Sequence, residues 1–465
     1  MSQQRTPTVA VVGGGLAGLA AGCALAGSGF RVSLFEKRPY LGGRASSYEH
    51  PGTGEVVDNC QHILLGCCTN LIEFYKRIGV EDKIRWYKPL TFIEPGGRQS
   101  VIKPSFLPAP FHASLSFLSA DFLNLRDKLA IGRALLTLIP RTPAENGETF
   151  LSWLQRHGQT SRAIERFWLP ILVSALNEQL DRMSVPYAAQ VIRESFLKSP
   201  GAGRFGVPMV PLTELYNRAG DYIKTHHGEI NLRSGVESFE LLPKGVGVRI
   251  ADSVANFDFA VIAVPFDALA KILPDGTAEE EKKKLERFEF SPITGIHLWF
   301  DRKITDLEHA VLLDRTIQWL FQKSEFQEGR QNGEAGSYLE LVVSASRSLV
   351  EKSRQEIIDL ALAELAEFFP DVRNAKLTKA TVIKEIKASF SPLPRVDEYR
   401  PGYTTDWTNI FLAGDWTATG WPATMEGAVR SGFGAAECVA KAMGRKNTKF
   451  AAPDLPPAGF MKLFG

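Results

Sequence analysis

Apolar positions near the start of the chain fall into short runs punctuated by glycine. Residues 9–12 are a continuous apolar run of strand length, Leu16–Ala26 carries a helical pattern, and residues 31–35 form a second strand ending at Glu36. Between the first strand and the helix, Gly13, Gly15 and Gly18 read G-x-G-x-x-G. In such a βαβ unit Gly13 permits the tight turn, Gly15 lets backbone approach a pyrophosphate, and Gly18 allows close packing of the helix. The helix opens with Leu16 and Ala17, whose N–H groups face an anion, and Glu36 can accept from ribose hydroxyls. The stretch 9–30 carries no charge, yet its seven glycines at turn-like spacing read as a nucleotide-binding unit rather than a membrane span.

Further along, residues 69–78 and 126–139 read as amphipathic helices, and 151–198 as mostly helical with Trp153, Phe167 and Trp168 as core bulk. Short strands are expected at 230–233, 236–242, 246–251 and 259–264, marking a return of the nucleotide-binding unit. Strands at 297–300 and 338–344 and a helix at 353–369 suggest a second, interleaved unit. A strand at 409–413 then leads into Gly414 and Asp415, and a long helix runs from about Met425 to Ala442, again aiming a helix N-terminus at a ligand. Residues 104–120 have no formal charge, hold Phe106, Phe111, Phe117 and Leu118, and are broken by prolines. Too short to span a bilayer, this segment is either a buried loop and helix or a membrane-dipping one. A Pro-rich stretch at 451–459 followed by Phe460, Met461, Leu463 and Phe464 is either disordered or in contact with lipid.

Composition narrows the class. The chain has 465 residues, room for a large two-domain enzyme, and 54 Lys+Arg against 52 Asp+Glu leave a net charge of +2, so nucleic acid is an unfavoured partner. The five cysteines have neither disulfide-framework nor metal-ligand spacing, so no metal is expected and a cytoplasmic setting is the simpler one. No signal peptide is read at the N-terminus.

The residues resemble the flavin-dependent amine oxidases and carotenoid-type desaturases through GGGLAGLAAG at 13–22, FEKRPYLGGRAS at 35–46, GVESFE at 235–240, DFAVIAVP at 258–265 and NIFLAGDWTATGWPATMEGAVRSG at 409–432. The resemblance implies an α/β fold in which a Rossmann-type FAD-binding domain (1–90, 205–270, 401–445) is interleaved with a discontinuous α+β substrate domain (91–204, 271–400), followed by a tail at 446–465. FAD is the implied cofactor. Gly13, Gly15, Gly18, Gly43 and Arg44 would hold the pyrophosphate, Glu36 the adenosine ribose with Lys37 beside it, and Val236 the adenine through its backbone. Beyond Gly414, Asp415 would accept from a ribityl hydroxyl or serve only as a turn cap, and the backbone at Met425 would face the flavin pyrimidine.

Within that group VDNCQHILLGCC at 57–68, supported by ALNEQLDRMSV at 175–185, is similar to the squalene-associated hydroxysqualene dehydroxylases, with Cys60 standing where members usually carry glycine. The resemblance implies reductive removal of a hydroxyl from an apolar C30 isoprenoid, at the inner face of the cell membrane. Such chemistry needs a proton source and a dry pocket. Gln61 and His62 are the candidate catalytic pair, with a hydrogen-bonded structural histidine as the plainer reading. Gly432 and Gly434 lie inside a helix without a preceding strand, so no second nucleotide motif is present and electrons come from a bound nicotinamide or a protein donor. The competing readings are a polyisoprenoid desaturase, an amine oxidase, and a non-catalytic prenyl-protein escort, the last opposed by the intact glycine motif and Glu36.

Overall fold

The computed structural model describes residues 5–273, 279–327 and 336–464. Its first layer is a parallel five-stranded sheet in the order Glu229–Leu232, Arg31–Glu36, Thr8–Val12, Phe259–Ile262, Ile410–Leu412. Helix Leu16–Ala26 is buried along its whole length, which its Ala, Gly and Leu composition allows. Leu212–Thr225 and Met425–Ala442 pack beside it. Two glycines set the distances: a Cβ on Gly18 would lie 1.9 Å from Gly13 O, and one on Gly432 would lie 2.2 Å from Ala17 O. Gly432 therefore marks a helix crossing, in keeping with its lack of a preceding strand.

Of the four strands expected in this region, two lie outside the parallel sheet. Val246–Ile250 pairs antiparallel with Ser238–Leu241 on one side and Ser253–Phe257 on the other as a separate three-stranded sheet. Single-faced alternation suits a small meander, which buries Phe239, Val246 and Val248 and leaves Leu241 and Val254 exposed.

The second layer is a seven-stranded sheet in the order Leu377–Phe390, Phe290–Phe300, Ser337–Ser344, Trp319–Gln322, His309–Leu312, Leu90–Ile93, Gln99–Ile102. Helix Arg354–Phe368, started by a capping box between Ser353 and Glu356, packs against it through Ile357, Ala361 and Leu365. The chain passes from the first sheet to the second and back, so both units are discontinuous. A helical layer at Phe150–Arg156, Leu169–Leu176 and Val185–Ile192 supplies much of the main core.

Residues 104–120 fold as a short turn, Phe111–Ala113, and a helix, Ser114–Ser119. Phe117 turns inward onto Phe167, whereas Phe106 (89% exposed), Phe111, Leu115 and Leu118 face outward. The C-terminal tail lies over this segment: Phe460 N donates to Ala109 O at 2.9 Å, Met461 is buried, and Phe460, Leu463 (77% exposed) and Phe464 extend the apolar face. Leu125, Leu129 and Leu136 of helix Leu125–Leu138 are exposed as well. Among the described residues no helix is long and apolar enough to cross a membrane.

The Gly432 crossing leaves no room for a methyl group between two packed backbones. Gly432→Ala is expected to lower stability by about 2 kcal/mol or more, as overpacking does, which chemical denaturation of both proteins would measure.

Candidate active site

A cavity of about 630 Å³ runs between the two units. Every candidate residue lines it except Gly18, which stands behind Gly13 and keeps the helix close. At one end the N-terminus of Leu16–Ala26 opens onto the cavity with Gly15 as its cap and no capping side chain. A Cβ on Gly15 would meet only Gly43 Cα, at 3.9 Å, so the protein leaves that space open for a ligand. Glu36 is buried and fixed by two backbone donors, Gly14 N and Arg38 N, each at 2.7 Å. Its oxygens retain lone pairs for hydroxyl groups. Lys37, Gly43 and Val236 complete this wall.

Opposite, Gly414 has φ +147°, and a Cβ there would strike Trp416 at 2.3 Å. This turn presents Asp415, whose Oδ1 accepts from Arg44 Nη2 at 2.6 Å, while Arg44 Nη1 donates to Ala388 O. Arg44 and Asp415 thus form an ion pair at the cavity wall, from which either can meet a ligand. Asp415 is more than a turn cap. Met425 begins its helix at the cavity, where Thr424 Oγ1 caps Gly427 N. A helix N-terminus there favours negative charge on a bound group.

Gln61 and His62 sit farther along the wall. The ring Nδ1 of His62 lies 2.8 Å from Cys60 O, and a carbonyl only accepts, so Nδ1 carries hydrogen and Nε2 is left for the cavity. Burial pulls the His62 pKa below the usual histidine value. At neutral pH the ring is therefore an uncharged acceptor, which differs from the ready proton donor expected from sequence. Behind it lies a cluster that sequence reading did not single out: Lys323 Nζ contacts Asp58 Oδ2 at 2.6 Å, Gln61 Oε1 at 2.7 Å and Glu340 Oε2 at 3.2 Å. Burial and the nearby Asp58 charge raise the Glu340 carboxyl to about 7 despite Lys323. Its alternation inside an apolar strand was the one visible signal.

The flavin containing amine oxidoreductase family matches residues 16–440. The chain belongs to this family. It is 26% identical over 446 residues to a 15-cis-phytoene desaturase of Synechococcus elongatus, covering 91% of this chain and 94% of that one. A probable zeta-carotene desaturase of the same organism is 25% identical over 480 residues, covering 93% and 98%. Cyclohexylamine oxidase of Brevibacterium oxydans shares the fold, with a TM-score of 0.71 at 16% identity over 95% of this chain and all of that one. As in the rest of the amine oxidoreductase family, FAD is the cofactor and the protein is an FAD-dependent oxidoreductase. The open space at Gly15, the buried carboxylate of Glu36 and the uncapped helix fit that group. When bound, FAD supplies two-electron chemistry at carbon.

Gly15→Val is expected to give a folded but colourless protein, because the side chain fits the protein yet occupies the ligand's space; flavin absorbance against circular dichroism checks it. Glu340 binds a proton in the folded state that the unfolded chain releases near 4.5, so its contribution to stability declines as pH rises from about 4.5 to about 7. Relative to Glu340→Gln, the wild-type protein should lose on the order of 2 kcal/mol between pH 5 and pH 8 in denaturant titrations.

Proposed function

We propose that this FAD-dependent oxidoreductase reductively dehydroxylates hydroxysqualene to squalene, as the stretch at 57–68 suggests. The observation that carries the reading is the second arm of the cavity, lined by Leu90, Phe92, Ile102, Phe205, Val311 and Trp319, which suits an apolar isoprenoid chain. Lys103, Pro104, His112 and Ala113, of or beside the segment that carries exposed Phe106, Phe111, Leu115 and Leu118, also line the cavity. The reaction consumes two electrons and two protons, replaces a C–O bond by C–H, and releases water. His62 accepts the hydrogen bond of the carbinol O–H through Nε2, and in its protonated form gives a proton to the departing oxygen. Gln61 holds the His62 backbone, and the apolar arm excludes water from the developing allylic cation. Electrons arrive from outside, from a nicotinamide or a protein donor.

The runner-up is a polyisoprenoid desaturase. The phytoene desaturase relative and the uncharged His62, which can take up a proton lost from carbon, favour it. Anaerobic incubation of the reduced protein with hydroxysqualene, and of the oxidised protein with phytoene or squalene, separates the readings by product. Under the first reading squalene forms from hydroxysqualene alone, at a rate that falls as pH rises, and His62→Gln lowers kcat by about a hundredfold with flavin retained. Phytoene oxidation without hydroxysqualene consumption hands the function to the desaturase.

The same geometry supports substrate entry from a bilayer. Phe106, Phe111, Leu115, Leu118, Phe460 and Leu463 form the docking face, fringed by Lys103, Arg126, Arg133 and Lys462, for the anionic inner face of the cell membrane. Liposome flotation should show binding that is lost when Phe106, Leu118 and Leu463 are all changed to Ser; equal partitioning would remove this face from the account.

A further inference from the structure

A lysine with 1% exposure needs a reason, because removing an ammonium from water costs several kcal/mol before any partner repays it. Lys323 opens the short helix Lys323–Phe326 at the end of strand Trp319–Gln322; among the described residues its ammonium donates to Asp58 and Gln61 and lies in ion contact with Glu340. Asp58 is fixed in turn, with Oδ1 accepting from Ser47 Oγ at 2.6 Å and from Leu212 N at 3.1 Å. As an apolar substitute of equal volume would serve stability about as well, a purely structural reading leaves the arrangement without a purpose.

The chain of donors supplies one. An ammonium only donates, so Gln61 must turn Oε1 toward Lys323, which leaves Nε2 to donate to His62 O at 2.9 Å. His62 Nδ1 closes the loop on Cys60 O. Strand Phe290–Phe300 backs the same segment, since a Cβ on Gly295 would lie 3.4 Å from Asn59 O. We propose that Lys323, seated between Asp58 and Glu340, is a positioning residue that fixes Gln61 and through it the backbone and ring of His62 at the cavity wall. The proposal rests on the reading of His62 as the group that meets substrate.

The charges facing this point come from several elements: Asp58, Lys323 and Glu340, with His297 opposite Glu340 across the strand pair and hydrogen-bonded to Tyr338 Oη at 2.8 Å, and Arg44 nearer the flavin end. Lys323 depresses the His62 pKa and Asp58 raises it. Removing Lys323 together with Glu340 leaves Asp58 unbalanced and should move the His62 titration upward.

The test uses the FAD-loaded full chain in three forms: Lys323→Met/Glu340→Gln, Gln61→Met, and all three changes together. Histidine-labelled NMR, assigned with His62→Gln, reads the His62 pKa, and steady-state kinetics with hydroxysqualene read kcat and KM. The double variant is expected to keep its flavin and a KM within about twofold, to raise the His62 pKa, and to lose about tenfold or more in kcat, as displaced catalytic groups do. Gln61→Met should reproduce the kcat loss, and the triple variant should lose no more than either. Independent, multiplying losses would overturn the proposal, as would a folded double variant with unmoved His62 titration and full kcat. Should the double variant fail to fold, Gln61→Met decides alone: unchanged His62 resonances and kcat overturn it. If no polyisoprenoid is turned over by the wild type, the functional reading fails while the NMR arm still decides the positioning role.

Discussion

The site depends on how closely helix Leu16–Ala26 is approached on two sides. Helix Leu16–Ala26 can reach the Gly13 turn only because Gly18 has no side chain, and it can lie under Met425–Ala442 only because Gly432 has none. Both contacts involve backbone oxygens, which cannot rotate out of the way as a side chain would. Their combined effect is orientation: two helix N-termini, at Gly15 and at Met425, are delivered to the same cavity. Backbone dipoles there would meet the anionic and electron-rich parts of a bound dinucleotide, leaving the side chains Glu36, Arg44 and Asp415 to fix details.

The second unit meets this frame across the cavity. Its ties are polar beside Gln61 and His62, through Lys323 to Asp58, and apolar along the wall built from strands of the seven-stranded sheet. Lys323 follows a strand of the seven-stranded sheet and Asp58 ends strand Val56–Asp58, which pairs with Ser47–Glu49 outside both large sheets, so the ion cluster ties the second sheet to the segment that carries His62. A buried pair contributes geometry more dependably than net stability, and geometry is what a cavity between two discontinuous units requires.

The cofactor end was legible in the sequence because its determinants are local. The G-x-G-x-x-G turn, the strand ending at Glu36 and the strand leading into Gly414 each occupy a few consecutive residues. The long strand Leu377–Phe390 was not legible: as part of an edge it carries Lys379, Lys384, Glu385 and Lys387, and no single-period apolar pattern survives. That the strands at 238–257 form their own meander was not legible, because strand propensity says nothing about which sheet a strand joins. Lys323 and Glu340 escaped notice for a related reason, since residues 265 and 282 positions away from Asp58 acquire their meaning only when three elements converge.

This division also explains why cofactor and substrate are unequally specified. Backbone recognition of a pyrophosphate tolerates few alternatives, whereas an apolar wall of Leu, Phe, Ile and Val accepts any hydrocarbon of suitable girth, at about 25 cal/mol for each Å² it buries. Discrimination must then come from the few polar groups that interrupt the wall. A hydroxyl offered to His62 Nε2 replaces hydrogen bonds lost on leaving water, and a hydrocarbon at the same place leaves that nitrogen unmatched, an asymmetry of about 1–3 kcal/mol. Under the proposed function the walls would set substrate class, and the few atoms that hold His62 in place would set which member of the class reacts.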